Sequence, residues 1–519
     1  MTTRQSETAG QPAGSRSAYD HALTHPDDLA LVNYDGRTVS FAELIGRAHQ
    51  LSRALRTAKV GRLDRVAVIV RNGVEYFELA LATGQIGAYM VPINWHLTPV
   101  EIAYIVANAD AKLVVAEADV AATLDISPGV GRLAVAGRIP GWSDYGQFGA
   151  TESTSPPPDR SIGALMLYTS GTTGRPKGVL RPLPDGHPED AQTTVRSLTE
   201  QGIRPDLGIH LVTSPLYHAA PGAYALARLA TGRTVVIMDR FDAVATLRAI
   251  ERYRVTDTHM VPTQFQRLLA LDPVVRASHD LGSLTSVVHA AAPCPVNTKR
   301  AMIEWLGPII YEYLGATEGL VCRITSQEWL QHPGSVGKPL VGQMRILDEH
   351  GVDVAVGEVG TIYFHTGTTP YTYHKDPAMT AENHIGDYVT VGDLGHVDET
   401  GYLFVDDRRS DLILRGGVNI YPAEIEHALV AHPAVLDVAV VGEPDFDRGQ
   451  TVLAVVQLAQ GHVGDHDLTD DLLRFAGERL AWFKLPRRFV YTDRLPRTDT
   501  GKLQRRKVRD EFVDQIAAP

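Results

Sequence analysis

At 519 residues the chain is longer than one hydrophobic core supports, so two or more domains are expected. Its net charge of −12 argues against a duplex nucleic-acid binder, which needs a basic face to displace counterions. No apolar run approaches the roughly 18–20 residues of a membrane span, and the two cysteines, Cys294 and Cys322, neither build a disulfide framework nor show zinc-ligand spacing. A soluble, cytoplasmic protein without a metal cage is the expectation.

Residues 1–16 are polar, lack an apolar signal core and read as a disordered N-terminus. Residues 65–70 predict a buried strand and 73–87 a helix. Val91-Pro92-Ile93 reads as a short strand, at best an edge because of its proline, and 112–116 repeats the strand pattern. Residues 139–160, with Pro156-Pro157-Pro158, read as a loop leading into an apolar strand at 164–167. Further strands are expected at 235–238, 360–364 and 402–405. Strands alternating with helices at this interval favour a parallel α/β architecture, and no internal repeat is present. The charged cluster 406–411 then separates two apolar runs. Beyond it lies an α+β pattern: strand 412–414, turn Gly416-Gly417, helix 422–431 and strands 435–441 and 451–458. That is the size of a small independent domain, although composition alone also allows a charged turn within one domain.

The most informative run is Tyr168-Thr-Ser-Gly-Thr-Thr-Gly-Arg-Pro-Lys-Gly-Val179. Gly171, Gly174 and Gly178 permit positive φ and bring backbone N–H groups close to an anion. Thr169, Ser170, Thr172 and Thr173 add neutral donors, and Lys177 adds charge. This is the chemistry of a polyphosphate loop, although a Gly/Ser/Thr-rich turn by itself is as often merely flexible. It is not a Walker loop: Lys177 is followed by Gly178, so the Ser/Thr that would hold magnesium is missing.

The run resembles the phosphate loop of the acyl-adenylate-forming superfamily, which includes acyl-CoA synthetases, luciferases and peptide-synthetase adenylation domains. Companion segments follow in order: Tyr313-Leu-Gly-Ala-Thr-Glu318, Gly392-Asp393 ahead of Gly401-Tyr402, Asp407-Arg408, and Leu495-Pro-Arg-Thr-Asp-Thr-Gly-Lys502. With 286–295, 335–339 and 373–377 they look most like bacterial acyl-CoA synthetases of the fatty-acid and aryl-acid group. The resemblance implies an α/β fold: a large multi-subdomain N-terminal domain with parallel sheets, then a small mobile α+β domain. The expected division is 17–409 for adenylation and 410–519 for a lid carrying the catalytic lysine.

By the same resemblance, ATP and Mg²⁺ are the cofactors, a small carboxylic acid is the substrate and CoA the probable co-substrate. Lys502 would meet the carboxylate and the α-phosphate, where negative charge accumulates. Thr317 would hydrogen-bond the α-phosphate, and Glu318 would hold magnesium, a hard cation that prefers oxygen ligands. Asp393 suits the ribose hydroxyls, with Arg408 in support. Ala290, Ala291, Ala292 and Pro293, where the family has Gly-Gly-Ala-Pro, would border the adenine and the acid, with Leu314, Gly315 and Ala316 across from them. His218 stands at the position that gates the acid pocket; a locally satisfied core histidine is the competing reading. Gly222 and Val261 are expected around the same pocket. Gly416 and Gly417 would face the active site once the small domain has turned about Ser410.

Four departures from the family pattern stand out. Leu314 replaces a common tyrosine that would stack on adenine, a loss of about 1–3 kcal/mol. Ser410 replaces the usual Asp or Lys of the pivot. Arg448 stands where many CoA ligases place Trp, and Leu485 where some relatives carry a basic residue facing CoA phosphates. The adenylating reaction is therefore expected with CoA as acceptor. A non-CoA acceptor or anion is the alternative, such as nitrite in diazotisation of an amino-aryl acid, or a carrier protein. Lys502, Glu318, Asp393 and Lys177 together argue against a catalytically silent homologue. Cys294, between two prolines with no local base, reads as a small buried hydrophobe.

Overall fold

The computed structural model describes residues 17–169, 176–190, 208–339, 344–365, 371–408, 411–415, 418–445, 449–480, 482–498, 501 and 503–513. Two large sheets dominate the N-terminal part. One has six strands, ordered Ser143–Asp144, Gly131–Val135, Ala111–Glu117, Arg65–Ile69, Tyr89–Pro92, Ala164–Leu165, with all neighbours parallel. The other has nine. Six of these run parallel: Ile310–Ala316, Ser286–His289, Asp257–Met260, Ile209–Val212, Thr234–Ile237 and Leu29–Val32. Antiparallel strands close both ends of that sheet.

Between the sheets lie helices Phe41–Thr57 and Val74–Gly84. The first starts where Ser40 and Glu43 form a reciprocal capping box, and its apolar residues recur every three or four positions. Leu44, Leu51 and Phe77 share one core with Val66 and Val115 of the first sheet and with Leu31 and Val235 of the second. The far face of the nine-stranded sheet is covered by a second core, in which Leu247, Phe265 and Met302 pack on Leu211, Met260 and Val287. This sandwich fixes the C-terminal ends of the parallel strands, where α/β folds bind ligands.

Two smaller sheets follow: a three-stranded antiparallel sheet of Leu167–Thr169, Lys177–Leu180 and Thr372–Tyr373, and a six-stranded one around Gly360–His365. The C-terminal part is a five-stranded sheet centred on Val435–Asp445 and Gly449–Leu458. Helices Pro422–Val430 and His466–Gly477 bury Ile425, Leu429, Leu472 and Ala476 against one of its faces. Val508 of helix Arg505–Phe512 covers the other. The expected α/β class and the α+β tail are both present.

Two sequence readings need correction. The strand around Pro92 is not an edge: Tyr89–Pro92 is wholly buried between Arg65–Ile69 and Ala164–Leu165. Its outer partner pairs only with Tyr89 and Met90, so Pro92 sits beyond that ladder, where its missing N–H costs nothing. Residues 164–167 are not one strand either. The ladder breaks at Met166, whose N–H donates to the Met90 carbonyl, so Ala164–Leu165 and Leu167–Thr169 belong to different sheets.

Candidate active site

The strands flanking the Gly/Thr-rich run pair antiparallel with Thr169 opposite Lys177, which brings the ends of the run together. Ser170, Gly171, Thr172, Thr173 and Gly174 lie outside the described residues. Gly178 does not take the positive φ expected of it. It lies within strand Lys177–Leu180, and a Cβ there would stand 2.5 Å from Met166 Cε and 3.0 Å from Tyr168 Cζ. Its smallness serves packing. Lys177 Nζ lies 3.9 Å from Asp376 Oδ2 and 5.7 Å from the centre of the Tyr373 ring.

Strands Ile310–Ala316 and Gly319–Ile324 form a hairpin that puts Thr317 and Glu318 at its turn. Leu314, Gly315 and Ala316 are part of the first strand, and Leu314 packs on a core containing Val179, Val321 and Phe364. Glu318 is buried, and its Oε1 accepts a 2.8 Å hydrogen bond from the Tyr373 hydroxyl. Burial, followed by the Glu318 charge, pushes that hydroxyl well above the ordinary tyrosine range, so it stays a donor. Tyr373 in turn pairs with Val179 of the phosphate hairpin, joining Glu318 to the strand that carries Lys177. Among the described residues no group of three or more His, Cys, Asp or Glu forms a metal cage. A single oriented carboxylate with its second oxygen available nonetheless suits magnesium, which completes its shell with water and phosphate.

Asp393 is buried and opens strand Asp393–Val397, in register with Arg408 at the end of Leu403–Arg408. The two residues expected at the ribose thus share one rung of a ladder.

Of the residues expected around the acid, His218 is the N-cap residue of helix Ala219–Ala230, its ring 4.6 Å from that of Tyr217. Val261 and Ala290 are buried and follow adjacent parallel strands, and Gly315 lies on the next strand over. Gly222 lies in the same helix, about one turn after His218. A Cβ there would stand 2.3 Å from the Tyr76 hydroxyl and 2.7 Å from the Leu216 carbonyl. It therefore lets the helix approach Tyr76, a packing task the sequence did not disclose.

Two residues before Val261 and Gly315 in the chain stand His259 and Tyr313. With Tyr224 of the covering helix they form an aromatic group: ring centres lie 5.0 Å apart for Tyr224–His259, 5.9 Å for His259–Tyr313 and 6.2 Å for Tyr224–Tyr313. His259 Nε2 lies 3.2 Å from the Tyr313 hydroxyl oxygen. Burial first, then the nearby His210, drives His259 down to about 3, so its imidazole is neutral at physiological pH. Their place two residues before Val261 and Gly315 was the available signal for these residues.

The exposed Ala291 has φ 75°, in the left-handed region. A non-glycine residue pays about 1–2 kcal/mol there. The sequence reading places this alanine beside the adenine and the acid; the backbone shows that it stores strain. Ala291→Gly is expected to raise the midpoint of thermal unfolding by removing about 1 kcal/mol of strain, partly offset by the greater freedom of glycine in the unfolded chain. Differential scanning calorimetry that gave a lower midpoint would contradict this reading. Ala292 is half-buried and Pro293 exposed on the same loop. Burial pushes the Cys294 thiol well above its ordinary range, with Glu312 adding to the shift, in keeping with an inert side chain.

From the C-terminal part, Arg497 chelates Asp437 with two 2.6 Å hydrogen bonds and donates to the Gly501 carbonyl at 2.7 Å. Gly501, at φ 74°, lies against Thr263 near the start of helix Pro262–Leu269: a Cβ on it would stand 2.1 Å from Thr263 Oγ1. The residue before Lys502 is thus two positions from Val261 in its contact. Leu485 packs on the core of the C-terminal sheet. The side chain of Arg408 and all of Ser410, Gly416, Gly417, Arg448 and Lys502 lie outside the described residues.

A family model described as AMP-binding enzyme matches residues 19–373, and one described as AMP-binding enzyme C-terminal domain matches 424–502. The chain is 35% identical over 489 residues to a feruloyl-CoA synthase of Amycolatopsis sp, covering 93% of this chain and 95% of that protein. The amide bond synthetase McbA from Marinactinospora thermotolerans superposes with a TM-score of 0.81 at 27% identity, over 96% of this chain and all of that one. The o-succinylbenzoate coenzyme A synthetase MenE from Bacillus subtilis, in complex with ATP and magnesium ion, gives 0.79 at 26% identity over 96% of this chain and 99% of its own. The chain belongs to the AMP-binding enzyme family.

Proposed function

We propose that the protein is an ATP-dependent carboxylic acid–CoA ligase that works through an acyl-AMP and prefers aryl acids. The observation that carries the adenylating half is the buried Glu318, held by Tyr373 on a strand paired to the phosphate hairpin of Lys177. The acid carboxylate attacks the α-phosphorus of ATP, pyrophosphate leaves, and the acyl group is then transferred from AMP to the CoA thiol.

Lys177 and its loop (Thr169 to Gly174) hold the β- and γ-phosphates, and Thr317 donates to the α-phosphate. Lys502 approaches from the C-terminal part to offset charge as the carboxylate attacks. Glu318 would hold Mg²⁺, which when bound neutralises phosphate charge. Asp393 and Arg408 take the ribose, while Leu314 to Ala316 and the loop of Ala290 to Pro293 flank the adenine. His218 stands at the mouth of the acid pocket, and Val261, Ala290 and Gly315 form its rim. The aromatic group Tyr224–His259–Tyr313, whose His259 and Tyr313 stand two residues before Val261 and Gly315 in the chain, supports a flat acid, as do the relatives named for ferulate and succinylbenzoate. The part after residue 409 acts as a lid turning about Ser410, and Gly416-Gly417 faces the acceptor after the turn. Asp411 supports placing the pivot there, since Arg505 binds both Asp411 (3.1 Å) and Glu426 (2.6 Å) and so fixes it to the lid.

A second acceptor deserves a place in the test. Leu485 faces the core of the lid and so offers no charge to CoA phosphates, Arg448 replaces an expected Trp, and one structural relative is an amide bond synthetase. Fatty acids, benzoates and cinnamates should be offered with ATP, magnesium and CoA, then with amines or nitrite in place of CoA, and the products identified by mass spectrometry. The ligase reading predicts AMP and an aryl-CoA thioester. AMP with an amide or a diazonium product, and no thioester with any acid, would move the reading to the second acceptor.

A further inference from the structure

Arg181 follows directly on the phosphate strand Lys177–Leu180 and has no place in the polyphosphate run itself. Its Nη2 donates to the Thr317 carbonyl at 3.2 Å and also to the Glu318 carbonyl. Its guanidinium lies 5.7 Å from the centre of the Tyr371 ring, and its own carbonyl accepts a 2.7 Å hydrogen bond from the Tyr89 hydroxyl. One residue thus ties together the six-stranded sheet, the phosphate hairpin and the turn that carries Glu318. A half-buried guanidinium needs such acceptors. Packing alone, however, does not require that both carbonyls of one two-residue turn converge on it.

The convergence has a geometric consequence. In a trans peptide the C=O and N–H point in opposite directions, so holding the Thr317 carbonyl also fixes the direction of the Glu318 amide. Holding the Glu318 carbonyl fixes the other peptide plane of the same residue. Tyr373 then fixes the carboxylate. The residue is held at backbone and side chain before any ligand arrives.

We propose that Arg181 is a positioning residue for adenylation, presetting the Thr317–Glu318 turn for magnesium and the α-phosphate of ATP. The proposal rests on the ligase reading above. A displacement of about 1 Å at such a turn costs about 10²-fold in rate.

The test compares the full-length protein with Arg181→Leu and Arg181→Lys in two measurements. The first is calorimetric ATP binding across a magnesium titration, which needs no acid. The second is acid-dependent ATP–pyrophosphate exchange. Arg181→Leu is expected to raise the magnesium concentration for half-maximal ATP binding about tenfold and to lower the kcat of exchange about 10- to 100-fold. ATP affinity without magnesium should stay within twofold. Arg181→Lys, which has donors but no planar fork, should fall between the two. It carries the same comparison should the leucine variant fail to fold. Unchanged magnesium dependence and kcat in a folded variant would overturn the proposal. So would an equal loss of ATP affinity with and without magnesium, which would make Arg181 a direct phosphate contact. If the unmodified protein binds magnesium and ATP but exchanges with no acid, the ligase reading fails while the binding comparison still judges Arg181.

Discussion

Glu318→Gln is expected to lower the rate of acyl-AMP formation by about 10²- to 10³-fold, the cost of removing one electrostatic contact at a centre of developing charge. Glutamine has nearly the same shape, and its carbonyl oxygen can still accept the 2.8 Å hydrogen bond from Tyr373. The turn should therefore keep its geometry, and the loss would report the negative charge itself. Magnesium prefers anionic oxygen, so the variant should also need a higher magnesium concentration for half-maximal exchange. Acid-dependent pyrophosphate exchange, measured over a magnesium series, reads both effects. A variant within twofold of the unmodified protein at every magnesium concentration would remove Glu318 from the metal site.

Lys502→Ala is expected to cost a similar 10²- to 10³-fold in adenylation, because it deletes the cation that meets the attacking carboxylate. The discriminating readout is the other half of the reaction. Supplied with chemically prepared acyl-AMP and CoA, the variant should form thioester within a few-fold of the normal rate, since the lid has by then turned its lysine loop away. Equal loss in both halves would show that the lysine supports the fold or binds both transition states. Gly501 bears on this expectation: the residue before Lys502 is seated on Thr263, near the start of the helix that follows Val261.

Much of the candidate site was legible because the residues proposed for it cluster locally in sequence. A loop that holds phosphate needs glycines and hydroxyls within a few residues of each other, so the run from Tyr168 to Val179 announced itself. The turn at Thr317-Glu318 and the Asp393–Arg408 pair were singled out by resemblance to the family's ordered segments, and the ladder puts the latter two on one rung. What escaped was chemistry made through space. Arg181 and Tyr373 are 136 and 55 residues from the turn they hold, and neither lies in a pattern that signals that contact. His259 and Tyr313 left only their place two residues before Val261 and Gly315. Pro92 was misjudged because a proline at the last rung of a buried strand breaks no hydrogen bond when the outer neighbour has already ended. Gly178 was read for backbone freedom, yet Met166 and Tyr168 occupy the space beside it, and Gly222 also makes room for Tyr76.

The proposed reaction activates an acid by joining its carboxylate to AMP. It is tested most directly with an aryl acid labelled with oxygen-18 in the carboxylate, incubated with ATP, magnesium and CoA, followed by mass spectrometry of the phosphate products. Transfer through an acyl-AMP predicts AMP carrying one labelled oxygen and pyrophosphate carrying none. Label in orthophosphate alongside ADP, or thioester formed with unlabelled AMP, would contradict the account.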